Sequence, residues 1–178
     1  APSWDTIAPM DELDRPLRET AFAVFDVETT GLNPAYGHRV CEVACLRVQD
    51  GREITGFESL VDPQRVVSAG AFHVNRITPE MLDGAPTFEQ VAAPLLALMT
   101  GAAIVAHNAP FDLGFLAAEL EIAGLPPPEG VIVDTLALVR RCCEQVDFPA
   151  GIALQAYLRS GPEDARSLID WARRLGRP

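Results

Sequence analysis

Phe22-Ala23-Val24-Phe25-Asp26-Val27-Glu28 decides the reading of this chain. Phe22, Val24, Asp26 and Glu28 share one face and Ala23, Phe25 and Val27 the other, the two-residue period of a β-strand. One face is wholly apolar and buries itself; the other ends in two acids. Alternate residues on a strand stand about 6.6 Å apart along the backbone, so the carboxylates of Asp26 and Glu28 can converge on one cation. Taken alone, an Asp-x-Glu at a strand end is more often a solvated edge than a site.

Working outward, Gly31 and Pro34 mark a loop into a second β-rich run, Arg39 to Val48, and Asp50-Gly51 is a two-residue hairpin signal into a third, Glu53 to Val61. The next stretch shows no period. Thr78-Pro79-Glu80 then opens a short helix with a cap and a first-turn proline. Thr87 with Gln90 forms a capping box for a helix to about Met99. Gly101 to Ala106 reads as a buried strand. Asn108 can cap the following helix, with Pro110 in its first turn and Gly124 at its end. Val131 to Val133 is a short strand, and Asp134 can cap a helix from Thr135 to Cys143. Three antiparallel strands followed by alternating helix and strand predict an α/β fold, a mixed sheet flanked by helices. Residues 1–20, polar and carrying three prolines, read as an arm, and 21–178 as a single domain.

Asp112 falls in the first turn of the helix after the fourth strand. If that strand lies parallel to the first, Asp112 comes beside Asp26. Three crowded carboxylates repel one another, and a divalent cation makes the cluster tolerable. Hard cations prefer oxygen ligands, so such a site needs neither Cys nor His. The four cysteines form no CxxC pair and read as reduced thiols.

Four segments carry a family resemblance, the first two most specifically. Phe25-Asp-Val-Glu-Thr-Thr-Gly-Leu-Asn-Pro34 resembles the first motif of the DEDD 3′-to-5′ exonucleases, the superfamily that includes the proofreading epsilon subunit of bacterial DNA polymerase III. Ala106-His-Asn-Ala-Pro-Phe-Asp-Leu-Gly-Phe-Leu116 resembles the second. Val133-Asp-Thr-Leu-Ala-Leu138 is similar to the segment that precedes the third, and Phe72-His-Val-Asn-Arg-Ile-Thr-Pro79 to a loop flanking the substrate cleft. The resemblance implies a ribonuclease H-like fold. It implies two divalent metal ions, Mg²⁺ or Mn²⁺, held by Asp26, Glu28 and Asp112 with a fourth acid, and hydrolysis of phosphodiester bonds to nucleoside monophosphates in proofreading or repair. Thr29, Thr30 and Leu32 are expected to hold the 3′ end, with His73, Asn108 and Phe111 lining the substrate. Each has a bland alternative: Phe111 as core, His73 and His107 as structural histidines. His38, after a loop glycine, reads as surface.

The third motif departs from the pattern. The subclass uses a His, four residues and an Asp there, yet no histidine follows His107. Aligning Glu163-Asp-Ala-Arg166 with the motif's ending makes Asp164 the fourth acid and puts Arg159 in the histidine's place, where a permanently protonated group cannot act as base. Three explanations stay open: a degenerate motif, a substituting histidine, or a catalytic segment of the native chain that this sequence lacks.

Charge bears on the substrate. The net charge is −11, with 7 Arg against 19 acids before residue 134 and 7 Arg against 6 acids from 134 onward; lysine is absent. A general nucleic-acid-coating protein is thereby excluded, since backbone binding rests on cations. For a nucleic acid partner, DNA rather than RNA, the bound metals and the C-terminal arginines must supply the positive field. A DNA polymerase or repair protein is the expected protein partner. RNA-directed cutting and a catalytically degenerate partner module are the alternatives. With 48% hydrophobic and 22% charged residues, disorder is not favoured. No apolar run reaches the roughly 20 residues of a membrane span, and Ala1 to Thr6 lacks a signal pattern; a cytoplasmic location, with no membrane partner, is expected.

Overall fold

The computed structural model describes residues 15–145, with side chains to residue 141. Five strands form one sheet: β1 (Ala21–Thr29), β2 (Val40–Gln49), β3 (Arg52–Leu60), β4 (Ala103–Ala106) and β5 (Ile132–Asp134). Their order is β3-β2-β1-β4-β5. The β1–β2 and β2–β3 pairs are antiparallel, and β1–β4 and β4–β5 are parallel. This is the expected ribonuclease H-like sheet. Helices are α1 (Ala69–Asn75), α2 (Phe88–Met99), α3 (Ala109–Ala123) and α4 (Thr135–Gln145).

The alternation in β1 translates directly into burial: Ala21, Ala23, Phe25, Val27 and Thr29 are buried, while Val24 and Asp26 are exposed. Against that apolar face lie Val91, Leu95 and Met99 of α2 and Leu113, Phe115, Leu116 and Leu120 of α3, forming one core with Val43 and Cys45 of β2. Burying a large aliphatic or aromatic side chain contributes about 1.5–3 kcal/mol each, so this layer holds the sheet to its helices. The Asp50-Gly51 turn has both residues at positive φ, 50° and 69°, as a tight hairpin requires. Cys41 and Cys45 are buried and unpaired, and burial pushes their thiols up to about 12 and about 11.

Three local expectations need correcting. The stretch without periodicity contains α1, one face of which stays in solvent and so leaves no apolar stripe to read; Ser68 caps it by accepting the Ala71 N–H at 3.2 Å. The loop assigned to Phe72–Pro79 is therefore the end of α1, a left-handed Arg76 (φ 62°) and a 3-10 turn over Pro79–Met81. Asn108 precedes α3 as expected, but in the left-handed region (φ 63°, ψ 50°) with no side-chain cap. Asn tolerates that conformation better than most residues.

The chain divides into two compact units, Ala1–Thr135 and Leu136–Pro178. The first holds the sheet, α1, α2 and α3. Of the second, the described part is the body of α4. Asp164, Arg159 and the C-terminal arginines from Arg166 onward lie outside the described residues. Among the described residues, no helix is long and apolar enough to cross a membrane.

Candidate active site

The site forms where the parallel ladder runs out. β1 and β4 pair as far as Val24 and Val105, and β4 ends at Ala106, so beyond that point the N–H groups on the β4 side of β1 have no strand partner, while β2 still pairs the other side. A buried backbone donor must find an acceptor. The chain turns at Asn108 into α3, and the first-turn side chain of Asp112 supplies one: its Oδ1 accepts the Val27 N–H at 3.1 Å. Val27 lies between Asp26 and Glu28. One hydrogen bond thus fixes a buried carboxylate, 3% exposed, beside the two acids of the strand end.

The electrostatics report the crowding. Burial, then the neighbouring Asp26 and Glu28, push the Asp112 carboxyl up to about 6, against the lowering effect of the Val27 N–H. Burial raises Glu28, helped by Asp26 and Glu42, and burial raises Asp26, opposed by His107. Glu42 stands directly across from Glu28 in the β1–β2 register and is itself raised by burial, Glu58 and Asp26. Like charges placed opposite destabilise a sheet. The sequence reading missed Glu42, because only the cross-strand register shows it.

An all-carboxylate donor set under mutual repulsion fits a hard divalent cation in chemistry and sign. As placed, no three acidic, histidine or cysteine side chains among the described residues close into a metal-holding group. Asp26 is exposed and Glu28 half-buried, so neither carboxylate is enclosed as that of Asp112 is.

Thr29 through Arg39 build the wall beside these acids. Thr29 and Thr30 are buried, and their hydroxyls serve the loop itself. Thr29 Oγ1 donates to the Gly31 carbonyl at 2.6 Å; Thr30 Oγ1 accepts the Arg39 N–H at 3.0 Å and lies 3.2 Å from His38 Nδ1. Leu32 is 86% exposed. From α1, Asn75 Nδ2 donates to the Thr29 carbonyl at 3.1 Å, and Ser68 N–H to the Thr30 carbonyl at 3.2 Å. His73 is exposed on α1. Phe111 is half-buried, its ring 5.1 Å from that of Phe115. Behind Asp112, Asp134 Oδ1 accepts the Asn108 N–H at 3.0 Å, and the exposed His107 has Nδ1 3.1 Å from Thr135 Oγ1.

His38, read as surface, is half-buried with its ring over Gly31. A Cβ on Gly31 would intrude on three ring atoms of His38. Gly31→Ala is therefore expected to push the loop off the ring, displacing the neighbouring Leu32, and, on the nuclease reading proposed below, to weaken strand binding about tenfold. Gly31→Ala/His38→Ala, lacking the obstacle, should recover most of that loss in a binding titration. A double variant no better than the single one would show that the ring is not the obstacle.

Comparison with known proteins bears on the family and the fold. The RNase_T family, described as exonuclease, matches residues 23–159. A PolC-type DNA polymerase III of Halalkalibacterium halodurans is 39% identical over 130 residues, 73% of this chain and 9% of that protein. The 3′-5′ exonuclease DinG of Bacillus subtilis is 34% identical over 124 residues, 70% of this chain and 13% of that protein. The chain thus spans about a tenth of the length of these relatives. Among solved structures, the zinc-bound form of E. coli exonuclease I with single-stranded DNA superposes with a TM-score of 0.63 at 21% identity, over 70% of this chain and 30% of that one, which supports the ribonuclease H-like fold. Motifs, sheet order and sequence similarity agree that the chain belongs to the RNase_T exonuclease family, within the DEDD superfamily.

Proposed function

We propose that this chain removes nucleoside monophosphates from the 3′ end of a DNA strand in proofreading or repair, and that Asp26, Glu28 and Asp112 hold two divalent ions, Mg²⁺ or Mn²⁺. The observation that carries the reading is the Asp112–Val27 hydrogen bond, which sets a third carboxylate, itself buried, beside the two acids of β1. Bound there, a pair of divalent cations supplies a water made nucleophilic near neutral pH and neutralises charge on the attacking and leaving oxygens. The protein's own contribution is placement. β1 presents Asp26 and Glu28 on one face, and α3 delivers Asp112 from the next strand. The loop after β1 offers the exposed Leu32 to the terminal base, while its buried threonines keep the loop in shape. Asp164 is the proposed fourth acid, and His73, Asn108 and Phe111 the remaining substrate contacts. The names of the polymerase III relative and of the exonuclease I complex with single-stranded DNA support DNA as substrate and a polymerase or repair protein as partner.

A second reading rests on the absence of any histidine after His107. On that reading the chain is a non-cutting module that binds a strand end for a polymerase or repair partner. Labelled DNA and RNA strands of one sequence, titrated with Mg²⁺ and Mn²⁺ against a chelator, separate the two. The expected result is metal-dependent release of monophosphates from the 3′ end, with DNA favoured over RNA by about tenfold or more through sugar contacts. Binding without release at any metal concentration would favour the non-cutting module.

A further inference from the structure

Glu119 is 2% exposed and carries a charge the proposed chemistry does not use. It stands seven residues after Asp112, so the two acids share the inward stripe of α3 about 10 Å apart along its axis. Each reaches a sheet backbone: Asp112 the Val27 N–H of β1, Glu119 Oε1 the Val40 N–H of β2 at 3.0 Å. Glu119 also takes the Arg39 guanidinium in a two-pronged grip, Nε to Oε1 at 2.8 Å and Nη2 to Oε2 at 2.7 Å. The Arg39 side chain is 19% exposed.

Buried ion pairs are weak contributors to stability, because desolvation offsets the attraction. Their strength is geometric: the planar fork of arginine fixes both distance and orientation. What this fork orients is the base of the loop after β1. The Arg39 N–H donates to Thr30 Oγ1 at 3.0 Å and the Arg39 carbonyl accepts the Thr30 N–H at 2.9 Å, closing a loop that carries Gly31, the exposed Leu32 and Asn33. A series of hydrogen bonds therefore runs from the helix bearing Asp112 through Glu119 and Arg39 to Thr30, two residues before Leu32.

We propose that Arg39 and Glu119 are a positioning pair for the strand end, setting the loop that holds the terminal nucleotide at a fixed place relative to Asp112. The inference rests on the nuclease reading above. It assigns the pair to binding of the end, expressed in KM, and leaves the chemical step to the three acids.

Steady-state cutting of a labelled single strand by Arg39→Gln, Glu119→Gln and the double variant tests it, with thermal melts confirming that each is folded at the assay temperature. Glu119→Gln keeps an acceptor for the Val40 N–H. The expected result is a KM raised about tenfold with kcat within about twofold, since a misplaced grip costs binding register before chemistry. The double variant should be no worse than either single one, because both break the same link. Arg39→Lys, which retains the charge but not the fork, should fall between wild type and Arg39→Gln. It carries the test if the glutamine variants do not fold, with a KM raised about threefold. An unchanged KM in folded variants overturns the proposal, as does a fall in kcat alone, the mark of a purely structural role. A wild-type chain that cuts nothing with either metal sinks the nuclease reading and this inference together; an active wild type with an indifferent pair sinks this inference alone.

Discussion

Asp26→Asn is expected to lower the cutting rate by about a thousandfold or more, roughly 4 kcal/mol of transition-state stabilisation, while leaving the melting temperature close to wild type. The two halves of the expectation have separate causes. Asp26 is exposed on the open face of β1, opposite Ala44, and its backbone pairing in the sheet does not depend on the side chain. The fold therefore loses little. Amide and carboxylate are nearly isosteric, but an amide carries no charge with which to hold a hard cation. Rates on a 3′-labelled strand at saturating Mn²⁺, beside a melt of the same preparation, measure both halves. If Asp26→Asn and Asp112→Asn each cut at the wild-type rate, the assignment of the acids is wrong.

Asp112→Asn should have the same effect on cutting but should also stabilise the fold: in chelator near pH 7.5 the variant should be more stable than wild type by about 2 kcal/mol, or about 5 °C. The sign follows from the direction of the shift. Asp112 titrates near 3.8 when unfolded and is pushed up to about 6 in the fold by burial and its acidic neighbours. Above that value the folded state carries a charge it disfavours; below about 4 the penalty is gone. This group's contribution therefore falls as pH rises from about 4 to about 6, then stays low. The full shift corresponds to about 3 kcal/mol, and partial solvation around the exposed Asp26 reduces it. Asparagine removes the charge while its amide oxygen still accepts the Val27 N–H. A divalent cation relieves the same penalty in the wild type, so added Mn²⁺ should raise the wild-type melt far more than the variant's. A metal-free variant that melts at or below wild type would show that the crowded carboxylate is not under strain.

Much of the fold was legible because the signals are local. The alternation of Phe22–Glu28, the Asp50-Gly51 hairpin, the Thr87/Gln90 capping box and Gly124 at the end of α3 each depend on a few adjacent residues, and all stand in the structure. Where no local signal exists the reading failed. Helix α1 has no buried residue, so its sequence shows no apolar period. His38 reads as surface because its contacts, Thr30 and Gly31, are brought to it by a loop closure invisible in the chain order.

The candidate site divides the same way. Asp26 and Glu28 share a face by strand geometry alone, and Asp112 begins a helix whose first turn is written in Pro110 and the apolar run after it. Sequence by itself therefore determined which acids stand at element ends, and through its motifs the family. Tertiary structure alone decided the rest. The ladder stops at Val24 and Val105, which frees the Val27 N–H for Asp112; the β1–β2 register sets Glu42 against Glu28; and Glu119 crosses 80 residues of chain to take Arg39. These pairings exist because buried donors and charges must be satisfied by whatever the packed layers bring near, and proximity in a folded sheet is not encoded by proximity along the chain.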